Sequence, residues 1–132
     1  MKEKYTTVVL ANMCMIYKGD KMLVQLREKH DWPGLTFPGG HVEINETLEE
    51  AVIREIKEET GIILRSVHFC AIKEWRFEEN VRYLGLLYKS NDFEGEISSN
   101  SEGKCFWINK KDYKKYPLSQ DFEELFELID KN

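Results

Sequence analysis

The sequence predicts an α/β fold with a mixed β-sheet packed between helices. Three observations predict it. Apolar runs of strand length recur along the chain, the first at 6–17 and the last at 104–108. Two segments, 47–60 and 121–129, instead carry apolar residues on one face at helical spacing. Glycine, proline and polar clusters punctuate these runs. A sheet and an amphipathic helix each have an apolar side to bury, and a sheet covered by helices buries both. At 132 residues the chain is long enough to enclose a core, so 1–132 reads as one domain.

Taken in order, residues 6–17 read as a long strand, Lys18-Gly19-Asp20 as its turn and 22–27 as the hairpin partner. Lys2 and Lys4 before an apolar run superficially suggest a signal peptide, but Asn12 interrupts the run and no small-residue cleavage site follows. Asp31-Trp32-Pro33-Gly34 has loop chemistry. Residues 35–37 are extended, because a residue before proline avoids helix, and a short strand follows from Gly39-Gly40 through Val42. Thr47 with Glu50 three residues on is a capping box, so a helix starts there, and Gly61 suits the position past its C-terminus. Residues 63–77 and 81–88 read as strands joined at Glu78-Glu79-Asn80, 98–103 as a polar loop and 104–108 as a strand. The last helix, 121–129, has Phe122, Leu125, Phe126 and Ile129 on one face, with Asp121 as its N-cap.

The formal net charge of −5 removes broad electrostatic attraction to nucleic acid. The cysteines Cys14, Cys70 and Cys105 form no Cys-x-x-Cys pair and lie in strand-like runs, which fits inert thiols in a reducing cytoplasm.

The first helix carries the chemistry. With Glu55 set at zero and 100° per residue, Leu48, Val52, Ile56 and Ile53 fall at roughly +20°, +60°, +100° and +160°. Glu59 falls at roughly +40°, inside this apolar stripe, and Glu55 sits at its edge. Glu49, Glu50, Arg54 and Lys57 occupy the opposite arc, as ordinary solvent-facing charge does. A carboxylate facing a core must be paired, neutralised or bound to metal. Glu58 and Glu59 also lie in the last turn, at the negative end of the helix dipole, where acids are disfavoured. A hard divalent cation, which takes oxygen ligands, accounts for Glu55, Glu58 and Glu59 together. Arg54, one turn from Glu58, is either a phosphate clamp or an ion-pair partner.

The segment from Gly40 to Ile62, GHVEINETLEEAVIREIKEETGI, resembles a Nudix box. The fixed positions of that pattern are matched by Gly40, Glu46, Arg54, Glu55, Ile56, Glu58, Glu59, Gly61 and Ile62. Phe37-Pro38-Gly39-Gly40 and Phe106-Trp107-Ile108 are similar to small MutT-type members. The resemblance implies the Nudix α/β/α sandwich and magnesium as cofactor, with manganese able to substitute. It implies that the carbonyl of Gly39 ligates metal beside Glu55, Glu58 and Glu59. It gives Arg54 an orienting role with Glu46 and makes Glu102 a further metal-approaching acid, so that Glu55 and Glu102 are both candidates for general base. Gly40 permits close approach of backbone to phosphate. His41 is a candidate substrate contact, as are Phe37, Trp32 and Phe77, one of which would stack on a base. By resemblance to purine-sanitising relatives, Gln120 and Asp121 are candidates for reading the base. The implied reaction is hydrolysis of a purine dNTP, with oxidised dGTP a candidate, to a nucleoside monophosphate and pyrophosphate. Other Nudix substrates (ADP-ribose, dinucleoside polyphosphates, capped RNA ends) and a non-catalytic nucleotide sensor are the alternatives. The expected partner is a small nucleotide, with no membrane and no nucleic acid, for a monomer or homodimer.

Overall fold

A computed structural model describes residues 4–28, 32–98 and 104–132. Among these, the elements in chain order are β1 (Thr7–Lys18), β2 (Lys21–Arg27), β3 (Gly34–Thr36), β4 (Gly39–His41), α1 (Leu48–Thr60), β5 (Ile63–Leu64), β6 (His68–Glu78), β7 (Val81–Ser90), β8 (Phe93–Glu94), β9 (Lys104–Asn109), a 3-10 helix (Lys110–Lys115) and α2 (Phe122–Lys131).

The described residues form a seven-stranded sheet along the path β3-β2-β1-β7-β6, with β4 also paired to β1 and β9 to β2. The β1–β7 pairing is parallel, from Thr7↔Val81 to Ile16↔Ser90, and the others are antiparallel, so the sheet is mixed. Alternation along β1 sorts its side chains between two cores. Cys14 and Ile16 pack with Val52 and Ile56 of α1, whereas Met15 packs with Phe122, Leu125 and Ile129 of α2. The helices therefore cover opposite faces, and the predicted α/β/α sandwich is the observed fold. Full burial of each such aliphatic side chain contributes about 1.5–3 kcal/mol.

Helix α1 is bounded by its expected signals. Thr47 accepts from the Glu50 amide, Glu50 accepts from the Thr47 amide, and Gly61 closes the helix at φ 86° with its N–H on the Lys57 carbonyl.

Two expectations are corrected and one element is new. The strand expected over 63–77 is two strands. The Arg65 amide bonds to the Asp92 carbonyl and Arg65 pairs with Asp92 and Glu94, so 63–64 joins β8 in a separate ribbon before β6 begins. The 3-10 helix after β9 was not expected; Asn109 starts it by accepting from the Lys111 amide. Asp121 precedes α2 but makes no side-chain cap, because its carboxylate accepts from the Trp75 indole instead. Most of the polar loop expected over 98–103, including Glu102, lies outside the described residues.

Candidate active site

Strand β4 runs under the last turns of α1 and brings the glycines to the acids. Pairing of Asn12 with Gly40 and Met13 with Gly39 fixes the strand on β1. A Cβ at Gly39 would collide with the Asn12 carbonyl, and one at Gly40 with the Glu55 carboxylate. Gly39 therefore requires glycine, because the obstacle is backbone, whereas a side chain at Gly40 would displace the Glu55 carboxylate. The Gly39 amide points at Glu59, 3.4 Å from Oε2, and the Gly40 amide donates to Asn12 Oδ1 at 3.1 Å.

Glu59 lies where the helical wheel places it, facing inward. Gln25 Nε2 approaches its Oε2 at 3.3 Å. Burial pushes its carboxyl up to about 7, with the Glu55 charge adding to the rise and the Gly39 amide opposing it. Glu55 is also largely buried, with 16 % of its side chain exposed, whereas Glu58 is 59 % exposed.

Arg54 answers how the acids coexist. Its Nε and Nη2 hold Glu46 at 2.9 and 2.7 Å, a bidentate pair. Its Nη1 contacts Glu55 at 2.8 Å and Glu58 at 3.1 Å, and Nη2 also donates to the His41 carbonyl at 2.9 Å. Hydrogen bonding to Arg54 lowers the Glu46 carboxyl to about 2. Repulsion between the neighbouring Glu55 and Glu58 carboxylates is thus relieved by one guanidinium. Arg54 is the shared ion-pair partner of Glu46, Glu55 and Glu58.

The donor set fits a hard divalent cation in chemistry: carboxylates at the helix end, one of them buried and driven towards neutrality, beside a glycine backbone. The side chains are not arranged as a finished site. Among the described residues no three Asp, Glu, His or Cys side chains converge tightly enough to hold a metal ion. Release of Glu55 and Glu58 from Nη1, with Arg54 still held by Glu46, would free the oxygens that a cation needs.

Beside β4 opens a cleft of about 480 Å³, lined by Met13, Arg27, Trp32, Phe37, Gly39, Gly40, His41, Trp75, Phe77 and Tyr83 among others. Trp32 meets Trp75 edge-on at 5.7 Å, and Trp75 and Phe77 lie nearly parallel at 6.2 Å. Phe77 is 52 % exposed and Trp32 lies in the wall, so both aromatic candidates are at the cleft. Phe37 is placed differently: 2 % exposed, it stacks on Phe122 at 5.0 Å and contributes only a buried part of the floor. His41 is exposed at the rim. Gln120 is exposed, and neither it nor Asp121 lines the cleft. Sequence reasoning missed Asn12, Gln25 and Trp75. Asn12 and Gln25 are lone polar residues in apolar runs, 2 % and 3 % exposed, and that interruption was the available signal.

The NUDIX domain pattern matches residues 7–129. The chain belongs to the Nudix family. It is 32 % identical over 100 residues to the NAD-capped RNA hydrolase NudC of Photobacterium profundum, covering 75 % of this chain and 36 % of that one. It is 52 % identical over 50 residues to the ADP-ribose pyrophosphatase of Methanocaldococcus jannaschii, covering 37 % and 30 %. The matches thus span about a third of the length of these curated relatives. The MutT NUDIX hydrolase from Burkholderia pseudomallei shares the fold, with a TM-score of 0.79 at 23 % identity over 93 % of this chain and 98 % of that one. Nudix hydrolases generally use divalent cations and act on small nucleotides. No described helix is long and apolar enough to cross a membrane.

Proposed function

We propose that this chain is a single Nudix domain that hydrolyses a phosphoric anhydride bond of a nucleotide with a divalent cation, magnesium first and manganese as substitute. The observation that carries this is continuity. The Gly39-Gly40 strand touches Glu55 and Glu59 and also lines the aromatic cleft. A nucleotide fits that juxtaposition: a planar base among Trp32, Trp75 and Phe77, and phosphates over the glycines.

Glu55, Glu58, Glu59 and the Gly39 carbonyl would hold the cation, which when bound withdraws charge from phosphate and acidifies a water. Arg54, anchored on Glu46, orients Glu55 and Glu58. Gly39 and Gly40 admit phosphate oxygens close to the backbone. Glu55, or Glu102, accepts the proton of the attacking water. The water oxygen bonds to phosphorus, the anhydride P–O bond breaks, and the leaving phosphate carries off the electron pair.

The substrate proposed is a nucleoside triphosphate, a purine dNTP with 8-oxo-dGTP as leading candidate, giving a nucleoside monophosphate and pyrophosphate in the cytoplasm. Similarity to an ADP-ribose pyrophosphatase and to NAD-capped RNA hydrolases favours a second reading, a nucleoside diphosphate derivative. The net charge of −5 weighs against a long RNA substrate. Product analysis on dGTP, 8-oxo-dGTP, dATP, ADP-ribose and NAD with magnesium separates these. Pyrophosphate from a dNTP supports the first reading, and AMP with ribose 5-phosphate from ADP-ribose the second. No turnover of any of them would leave a non-catalytic nucleotide-binding module.

A further inference from the structure

We infer that Asp121 and Gly85 position the Trp75 ring as the platform for the planar end of the ligand, so that Asp121 acts through Trp75 and does not itself read the base. The inference rests on the nucleotide reading of the cleft. Its first observation is a hydrogen bond between elements 46 residues apart: Trp75 Nε1 donates to Asp121 Oδ2 at 2.9 Å. The residue making it gives up two things. Asp121 sits at φ 63°, in the left-handed region that non-glycine residues avoid. It also stands at the N-cap of α2, where an aspartate ordinarily caps the helix, yet its carboxylate makes no cap bond. A carboxylate diverted from its local use to one indole N–H is spent on fixing that ring.

The second observation comes from β7. Gly85 on β7 leaves room for Trp75: a Cβ there would stand 2.6 Å from Cζ3. Lys73 strengthens the same junction, bonding Glu124 of α2 at 3.0 Å with its ammonium 5.8 Å from the Trp75 ring centre. Trp75 is therefore held by Asp121 at the start of α2, packs closely on a glycine of β7 and meets Trp32 at an interplanar angle of 86°. Asp121 is not among the residues lining the cleft, whereas Trp75 and Gly85 are. An indole fixed in this way stacks a planar ring without first losing rotamer freedom.

The test is affinity for GMP, UMP and ribose 5-phosphate, measured by calorimetry on the parent, Asp121→Asn, Asp121→Leu and Gly85→Ala. The parent is expected to bind both nucleotides at least about tenfold tighter than ribose 5-phosphate, as stacking of one base supplies. Asp121→Leu, which cannot accept from the indole, and Gly85→Ala, which displaces the ring, should each lose most of that advantage while binding ribose 5-phosphate as the parent does. Asp121→Asn keeps an acceptor oxygen and should retain the advantage for both bases. Loss in Asp121→Asn equal to that in Asp121→Leu would overturn the inference and make the carboxylate a direct base contact. Full retention in both Asp121→Leu and Gly85→Ala would overturn it as well. The two substitutions act on the ring from different elements, α2 and β7, so a folding defect in one leaves the other to decide. A parent that binds ribose 5-phosphate as tightly as GMP and UMP would remove the base from the cleft and sink the nucleotide reading with it. A parent that prefers nucleotides alongside indifferent variants would sink the platform alone.

Discussion

Replacing Glu59 by glutamine should stabilise the metal-free protein at alkaline pH, an unusual outcome for a change at a buried site. The reason is the cost of holding that carboxylate charged. Burial raises its pKa from 4.5 to about 7, the Glu55 charge adds to the rise, and the Gly39 amide and Gln25 offset only part of it. Between these two pH values the folded state binds more protons at this site than the unfolded state, so stability falls as pH rises through the window. Above pH 7 the full penalty is present, and below about 4.5 it is absent. At about 1.4 kcal/mol per pKa unit the upper bound is ~3.5 kcal/mol. The side chain is partly exposed, and solvent screening reduces this to about 1–2 kcal/mol. The glutamine side chain of the variant presents its one oxygen to the same two donors, both of which bond Oε2 in the parent. For a chain of this size the variant should melt about 4–8 °C higher than the parent at pH 8 in EDTA, with the gap closing at pH 4.5. A variant that melts lower at pH 8, by a margin unchanged at pH 4.5, would refute the reasoning and make Glu59 a structural hydrogen-bond partner.

Other outcomes follow from the same geometry. Magnesium should raise the melting temperature of the parent, by the equivalent of about 2.7 kcal/mol at a hundredfold excess over its dissociation constant, and raise that of Glu59→Gln less; equal shifts in both would take the cation away from Glu59. Glu55→Gln should cut hydrolysis by orders of magnitude while Glu49→Gln, on the solvent arc, changes it little; matching small effects would mean that the inward face carries no chemistry. Hydrogen bonding to Arg54 holds Glu46 at about 2, so the unfolded state binds more protons there between about pH 2 and 4.5 and the pair's stabilisation is lost as pH falls through that range. Glu46→Gln should therefore flatten the acid limb of the stability profile in urea melts, and an unaltered limb would show the pair to be energetically silent.

What could be read from the chain alone was local. Thr47, Glu50 and Gly61 mark both ends of α1 within the segment they bound, and the wheel placed Glu59 inward because a single helix sets that angle. The strands β1, β2 and β7 were legible because each is a mainly apolar run bounded by turn residues. What escaped was contact between distant positions. Gln25 reaches Glu59 across 34 residues and Trp75 reaches Asp121 across 46, and no periodicity encodes either. Asp121 looked like a cap because caps are local, and the competing indole N–H becomes visible only when β6 and α2 are packed together. The break after Leu64 was hidden for the same reason, since Asp92 and Glu94 decide it from elsewhere in the chain. Arg54 had one candidate partner on its own helix, Glu58, and Glu46 by resemblance; its further contacts with Glu55 and with the His41 carbonyl of β4 come from the packed structure.

The most direct measurement is formation of nucleoside monophosphate from the nucleotide panel by the parent and by Glu59→Gln, each with magnesium and with excess EDTA. The parent with magnesium should release the monophosphate, EDTA should stop it, and Glu59→Gln should be slower by several orders of magnitude despite its higher melting temperature in the metal-free form. Turnover by the parent that persists in EDTA, or a Glu59→Gln protein that works as fast as the parent, would contradict a metal-assisted hydrolysis built on the inward acids of α1.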